Sequence, residues 1–270
     1  MIRKPNFKLN WKYALGELVL IFMGISLAIW FNNWNDQRKR NRLEKEILIQ
    51  IYNDVRANQD DLLSDLDKLI FGVKSHQNIT KYFAEDRPYV DSMCFDFHWI
   101  TKDEYVFPIK GGYENLKANG LNLVKNDSIL SLIQLTFEFA YPRISRDTPF
   151  YPDLTDHFFP YYQTHFVPNE DVNLVFERTT PLRYWRFPYI SNFGGAPQVT
   201  HIGYIPLDYE ALKKDTQFKM LMHQADEYRN GKVKQYLNVR SLLELLKQQI
   251  EVELKDELNK ASEEATDTPD

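Results

Sequence analysis

The sequence predicts a mainly α-helical protein. One N-terminal transmembrane helix continues into a helical extramembrane domain, and an irregular aromatic and proline-rich insertion interrupts that domain. Three observations predict it. The stretch Tyr13 to Phe31 is nineteen residues with only Glu17 and Ser26 polar. No Gly or Pro occurs between Ile25 and Phe71. Beyond the apolar stretch, hydrophobic residues recur at spacings of three, four and seven, the signature of one helical face.

The apolar stretch comes first. Nineteen residues at the α-helical rise make roughly 28 Å, close to the ~30 Å hydrocarbon core of a bilayer. Trp11 and Tyr13 lie at one end and Trp30 and Trp34 at the other, where a membrane–water interface favours aromatic rings. The competing readings are a core helix, which would show a polar face, and a cleaved signal peptide. The latter has a shorter apolar region and small residues at its end, whereas this stretch ends in IWFNNWN. Residues 1–12 therefore read as a short basic tail and 13–34 as a membrane helix. Arg3, Lys4, Lys8 and Lys12 precede the span, and Arg38, Lys39, Arg40, Arg42 and Lys45 follow it. That near balance leaves orientation to the short acid-free tail and to the ease with which long domains translocate. Both favour a cytosolic N-terminus and a C-terminal domain outside the cytosol.

The remaining chain, 35–258, reads as one helical domain followed by a disordered polar tail, 259–270. Leu43, Ile47, Ile51, Val55, Leu62, Leu66, Leu69 and Val73 fall on one face of a stalk helix predicted over 35–83. Residues 84–112 read as loop, with a short helix starting at Thr101, where Thr101 and Glu104 have capping-box spacing. A helix is expected from Tyr113 to Ala118, closed by Asn119-Gly120. Another follows an Asp127 N-cap, with Ile129, Leu132, Ile133 and Phe137 inward. Nine prolines break the insertion at 141–206, and fourteen aromatics lie from Tyr141 to Phe193. Loops and short strands such as VNLVFERTT are expected there. Residues 215–258 read as an antiparallel helical pair broken at Asn230-Gly231. Its second helix is capped by Ser241 and Glu244, with Leu243, Leu246, Ile250, Leu254 and Leu258 inward.

The segment YALGELVLIFMGISLAIWFNNWNDQRK resembles the N-terminal signature of a Bacteroidota family of single-pass membrane proteins of unknown function. Gly16, Glu17, Gly24, Ile25, Ala28, Asn32, Asn33, Trp34 and Asn35 carry the likeness. Tyr113-Glu114-x-Leu116-Lys117 followed by Gly120 is a second, shorter match. The resemblance implies a bacterial membrane location and a helical domain, and it brings no activity with it.

Charge and composition narrow the function classes. The chain carries −5, and with four bases and one acid in residues 1–35, the remainder carries −8. An acidic domain argues against nucleic acid as a partner. Cys94 is the single cysteine, so no intramolecular disulfide exists, and a buried apolar role is expected for it. No cofactor or metal is expected. Asp153, Asp156, His157 and His165 lie near one another in sequence, but they fit no established ligand spacing. Neither a phosphate loop nor a nucleophile elbow is present, so an enzyme is not expected. An acid within an apolar span usually has a reason, and Glu17, Ile21, Gly24 and Ala28 share one helical face with small-xxx-small spacing. That face suits a second copy or a partner transmembrane helix. Tyr161, Tyr162, Tyr184, Trp185, Tyr189 and Phe193 could line a ligand groove or form a satellite core. The expected function is a membrane-anchored interaction or scaffolding protein that self-associates, its molecular activity unspecified. An envelope ligand-binding module is the alternative.

Overall fold

The computed structural model describes residues 11–146, 152–177, 199–200 and 202–255, with the backbone alone at 12–14 and 199–200. The fold is mainly α-helical. Helix α1, Trp11–Ala84, runs unbroken for 74 residues, about 110 Å at 1.5 Å per residue. The apolar segment and the stalk are therefore one rod, with no glycine or proline between Ile25 and Phe71 to kink it. From Leu15 to Trp34 the rod is exposed on every side, with Leu20 at 71% and Phe22 at 70%. Burial against the described residues does not account for its composition, and it is long and apolar enough to cross a membrane.

The helix stops in a left-handed cap. Asp86 takes φ +50°, its N–H donates to the Phe83 carbonyl, and the Arg87 N–H reaches back to the Tyr82 carbonyl. That is the Schellman arrangement, with an aspartate tolerated where glycine is usual. Pro88 follows and bars further helix.

Helix α2, Met93–Trp99, lies in the aromatic run that reads as loop. The helix expected to start at Thr101 is absent. The Thr101 hydroxyl instead donates to the His98 carbonyl at 2.8 Å, and 101–110 is an irregular strap across α1. Helix α3, Gly111–Asn119, ends at Gly120, φ +96°. Helix α4, Asp127–Gln134, is capped one residue earlier than expected, by the Asn126 side chain, and passes into a π-helical turn at Leu135–Ala140.

The insertion holds more helix than its prolines suggest. Helix α5, Leu154–His165, contains Pro160. It persists because Leu154, Phe158, Tyr161 and Tyr162 are buried, each large side chain offsetting roughly 1.5–3 kcal/mol of the ~3 kcal/mol proline cost. Two short antiparallel pairs complete the region: β1 (Phe166–Pro168) with β4 (Tyr204–Pro206), and β2 (Phe176–Glu177) with β3 (Val199–Thr200). The β2 strand falls in the expected VNLVFERTT segment.

After the four-residue α6, Tyr209–Leu212, helix α7 runs without interruption from Thr216 to Glu253. This corrects the expected helical pair. Asn230-Gly231 lies mid-helix, and Ser241 is no cap, its hydroxyl donating to the Leu237 carbonyl. The Asp215 side chain caps the helix by accepting from the Gln217 and Phe218 N–H groups, Leu243, Leu246, Ile250 and Leu254 are buried as expected, and Leu258 lies outside the described residues. Glycine inside a helix costs about 1 kcal/mol. Here it is outweighed by a buried seam that crosses it: Met222, Ala225, Arg229, Lys232, Tyr236, Val239, Leu243, Leu246 and Ile250 alternate at spacings of three and four.

Helix α7 lies antiparallel on α1. The Tyr52 hydroxyl donates to Glu251, Gln59 donates to Glu244, both at 2.8 Å, and Arg229 lies against Gly72. One hydrophobic core, nearer the apolar segment, joins α1 residues 47–69 to α3, α4 and the second half of α7. A second joins Ile79 to α2, α5, β1, α6 and the start of α7.

At Gly112 the backbones of α3 and α1 nearly touch. A Cβ there would lie 2.6 Å from the Ile51 nitrogen, while its N–H donates to Asp54 at 2.7 Å. Gly112→Ala should cost about 1–3 kcal/mol by overpacking. Gly111→Ala, meeting the flexible Gln50 amide at 3.3 Å and Asp54 at an ordinary 3.8 Å, should be neutral or gain up to about 1 kcal/mol of helix propensity. Denaturant unfolding of the two variants checks the contrast.

Candidate functional site

Two places merit description as sites: the face of the apolar segment and a charged layer between the two cores. On α1 the positions of Glu17, Ile21, Gly24 and Ala28 fall within an arc of about 60° at 100° per residue. All four are exposed, and a Cβ added at Gly24 would meet nothing within 4 Å. The helix brings these residues onto one unpartnered face, as the spacing predicts.

The aromatic candidates divide differently. Tyr161 and Tyr162 are buried and do not line a groove. The Tyr161 hydroxyl donates to Asp215 at 2.6 Å, and its ring stacks on His165 at 3.9 Å. The Tyr162 hydroxyl donates to the Phe97 carbonyl at 2.8 Å, with its ring on Phe166 at 4.0 Å. Both are core residues because α5 turns them towards α2 and α7. Tyr184, Trp185, Tyr189 and Phe193 lie outside the described residues. Asp153 caps α5, and among the described residues no three His, Cys, Asp or Glu side chains converge as a metal site. Cys94 is fully buried, and burial pushes its thiol up to about 11.

The charged layer is what the sequence reading missed. Lys232 and Asp103 form an ion pair at 2.5 Å with side chains 1% and 2% exposed. The Lys232 ammonium also sits 3.7 Å above the Tyr105 ring. The other Asp103 oxygen accepts from the Tyr105 hydroxyl at 3.1 Å and from the Leu154 N–H at 3.2 Å. Lys68 bridges Asp65 at 3.5 Å and Glu104 at 3.0 Å. Arg229, 0% exposed, donates through Nη2 to the Ile100 carbonyl at 2.5 Å, while its Nε and Nη1 have no partner among the described residues. Gly72 makes room for it, since a Cβ there would collide with the guanidinium.

Burial governs the protonation of this layer. It lowers the Arg229 pKa to about 10 and lowers that of Lys232 despite Asp103. It raises the Asp65 carboxyl to about 7, with Lys68 opposing and Glu104 and Asp61 assisting. Sequence reasoning could have found the layer through one signal. The seven-residue register Met222, Arg229, Tyr236, Leu243, Ile250 keeps phase across Asn230-Gly231, which places Arg229 and Lys232 on the buried face.

The layer ties α1, α7, α5 and the 101–105 strap together. No family model, curated protein or solved structure matches this chain.

Asp103→Ala leaves the Lys232 ammonium buried and unpaired and should cost about 3–5 kcal/mol, whereas Asp103→Leu combined with Lys232→Met should recover most of that loss. Unfolding free energies of the single and double variants test this. The Asp65 pKa is raised on folding. Its contribution is therefore fully present below the ordinary carboxylate pKa and lost as pH rises through about 7. Stability should fall between roughly pH 4 and 8, and Asp65→Asn should flatten that slope in unfolding measured across the range.

Proposed function

We propose that the protein is a membrane-anchored interaction or scaffolding protein that self-associates through the Glu17, Ile21, Gly24 and Ala28 face of α1. The carrying observation is that one unbroken helix supplies both the exposed apolar segment and the spine of the folded domain. An anchor joined to its domain without a linker fixes the domain's direction relative to the bilayer, so pairing of the anchors would align the domains above them. Gly24 and Ala28 permit close backbone approach, and van der Waals packing of small residues drives helix association in lipid. Glu17, within the apolar segment, gains from an interhelical partner there.

The N-terminal block supports placing the chain with the Bacteroidota family it resembles, in the inner membrane with its domain outside the cytosol. The role is one of interaction rather than catalysis. The charged groups gathered at the centre are spent on tying helices together.

A cysteine scan in native membranes tests the pairing. In a Cys94→Ser background, single cysteines at Ile21, Gly24 and Ala28 should give disulfide-linked dimers on oxidation. Cysteines at Val19, Phe22 and Ser26, on the opposite face, should not. Gly24→Leu combined with the Ala28 cysteine should cut the crosslinked fraction about tenfold, equivalent to ~1.4 kcal/mol of pairing energy. Uniform crosslinking around the helix, or none, would remove the proposal.

A further inference from the structure

At the far end of the rod, the last turns of α1 and the first turns of α7 enclose a cleft of about 360 Å³. This lies within the usual range of small-molecule pockets. Phe83, Ala84 and Met222 supply apolar walls, and His76, His223 and Lys219 supply nitrogen donors at the rim. Thr80 also lines it, its hydroxyl 3.4 Å from His76 Nε2.

The charge balance of the rim is one-sided. Lys219 has no ion-pair partner among the described residues, and it and His223 are exposed. His76 is half-buried. Among the described residues the charged groups facing it are Asp226, Arg229 and His223. Burial lowers its pKa, Asp226 raises it, and Arg229 and His223 lower it. Lys219 is thus the one formally charged side chain among the described residues lining the cleft, and an incoming anion would pair with it. A cation would meet Lys219 instead.

We infer that this cleft binds a small organic monocarboxylate, its carboxylate at Lys219, His76 and His223 and its apolar body against Phe83, Ala84 and Met222. The ligand comes from solution. His76 lies 42 residues along α1 from Trp34, roughly 60 Å at the helical rise, beyond the reach of lipid held in the bilayer that the anchor would occupy. The site is distinct from the self-association face, so its test does not depend on pairing.

The probe is 4-(trifluoromethyl)benzoate, followed by fluorine NMR with the full chain in lipid nanodiscs, empty nanodiscs correcting for partitioning. Saturable binding with a dissociation constant of about 0.1–1 mM is expected for a ligand of this size. The neutral amide analogue should bind at least ~10-fold more weakly, Lys219→Met should weaken the carboxylate about 3–10-fold by removing a charge-assisted contact, and Ala84→Trp should abolish binding by filling the cleft. Both substitutions are at exposed positions, and circular dichroism confirms that each variant is folded. Absence of saturable binding, equal binding of acid and amide, or unchanged binding to the Ala84→Trp variant would overturn the inference.

Discussion

The antiparallel packing of α7 along α1 is the constraint on which the remaining structure depends. An isolated long helix gains little from propensity alone and needs an amphipathic face buried against a neighbour. Beyond Trp34, α1 finds that neighbour in α7. The buried positions of both helices follow alternating spacings of three and four, so each keeps a continuous seam towards the other. The smaller elements fill the flanks of this pair. The α3 and α4 helices close one end, and α2, α5 and the β1–β4 pair close the other.

Two long helices with repeating seams can slide past one another by a heptad at small apolar cost, and the charged layer resists such a slip. Arg229 is accommodated only where α1 has no side chain, at Gly72. One heptad away it would meet Asp65 or Ile79, each with a side chain where Gly72 leaves space. Lys232 meets its carboxylate on the 101–105 strap, and separating a buried pair leaves an uncompensated charge. Asn58 adds a further fix by bonding both the N–H and the carbonyl of Ile109, at 2.8 and 2.9 Å. Apolar burial supplies the bulk of the attraction between the helices, and the polar groups select one register.

How much of this was legible depended on whether a signal was local. The stalk and the α3 helix with its glycine end follow from periodicity and capping chemistry, which act over a few residues. Thr101 and Glu104 have the spacing of a capping box, but Thr101 is consumed in ending α2 and Glu104 in bonding Lys68. Pro160 and Asn230-Gly231 are breakers by local rules. Each is overridden by burial of large side chains on partners distant in sequence. Tyr161 and Tyr162, candidates for a groove, became core because α5 presents them to α2 and α7.

The sequence by itself determined the helical class, the exposed apolar segment and the helical face that carries Glu17, Gly24 and Ala28. These rest on residue type and on a period of 3.6, both properties of a contiguous segment. Only the tertiary structure decided that α7 is a single helix, that Arg229 and Lys232 are interior, and that a cleft opens between His76 and His223. Those outcomes depend on which surfaces of residues some 130–170 positions apart are pressed together. Helical periodicity says which residues share a face, but not what that face will meet.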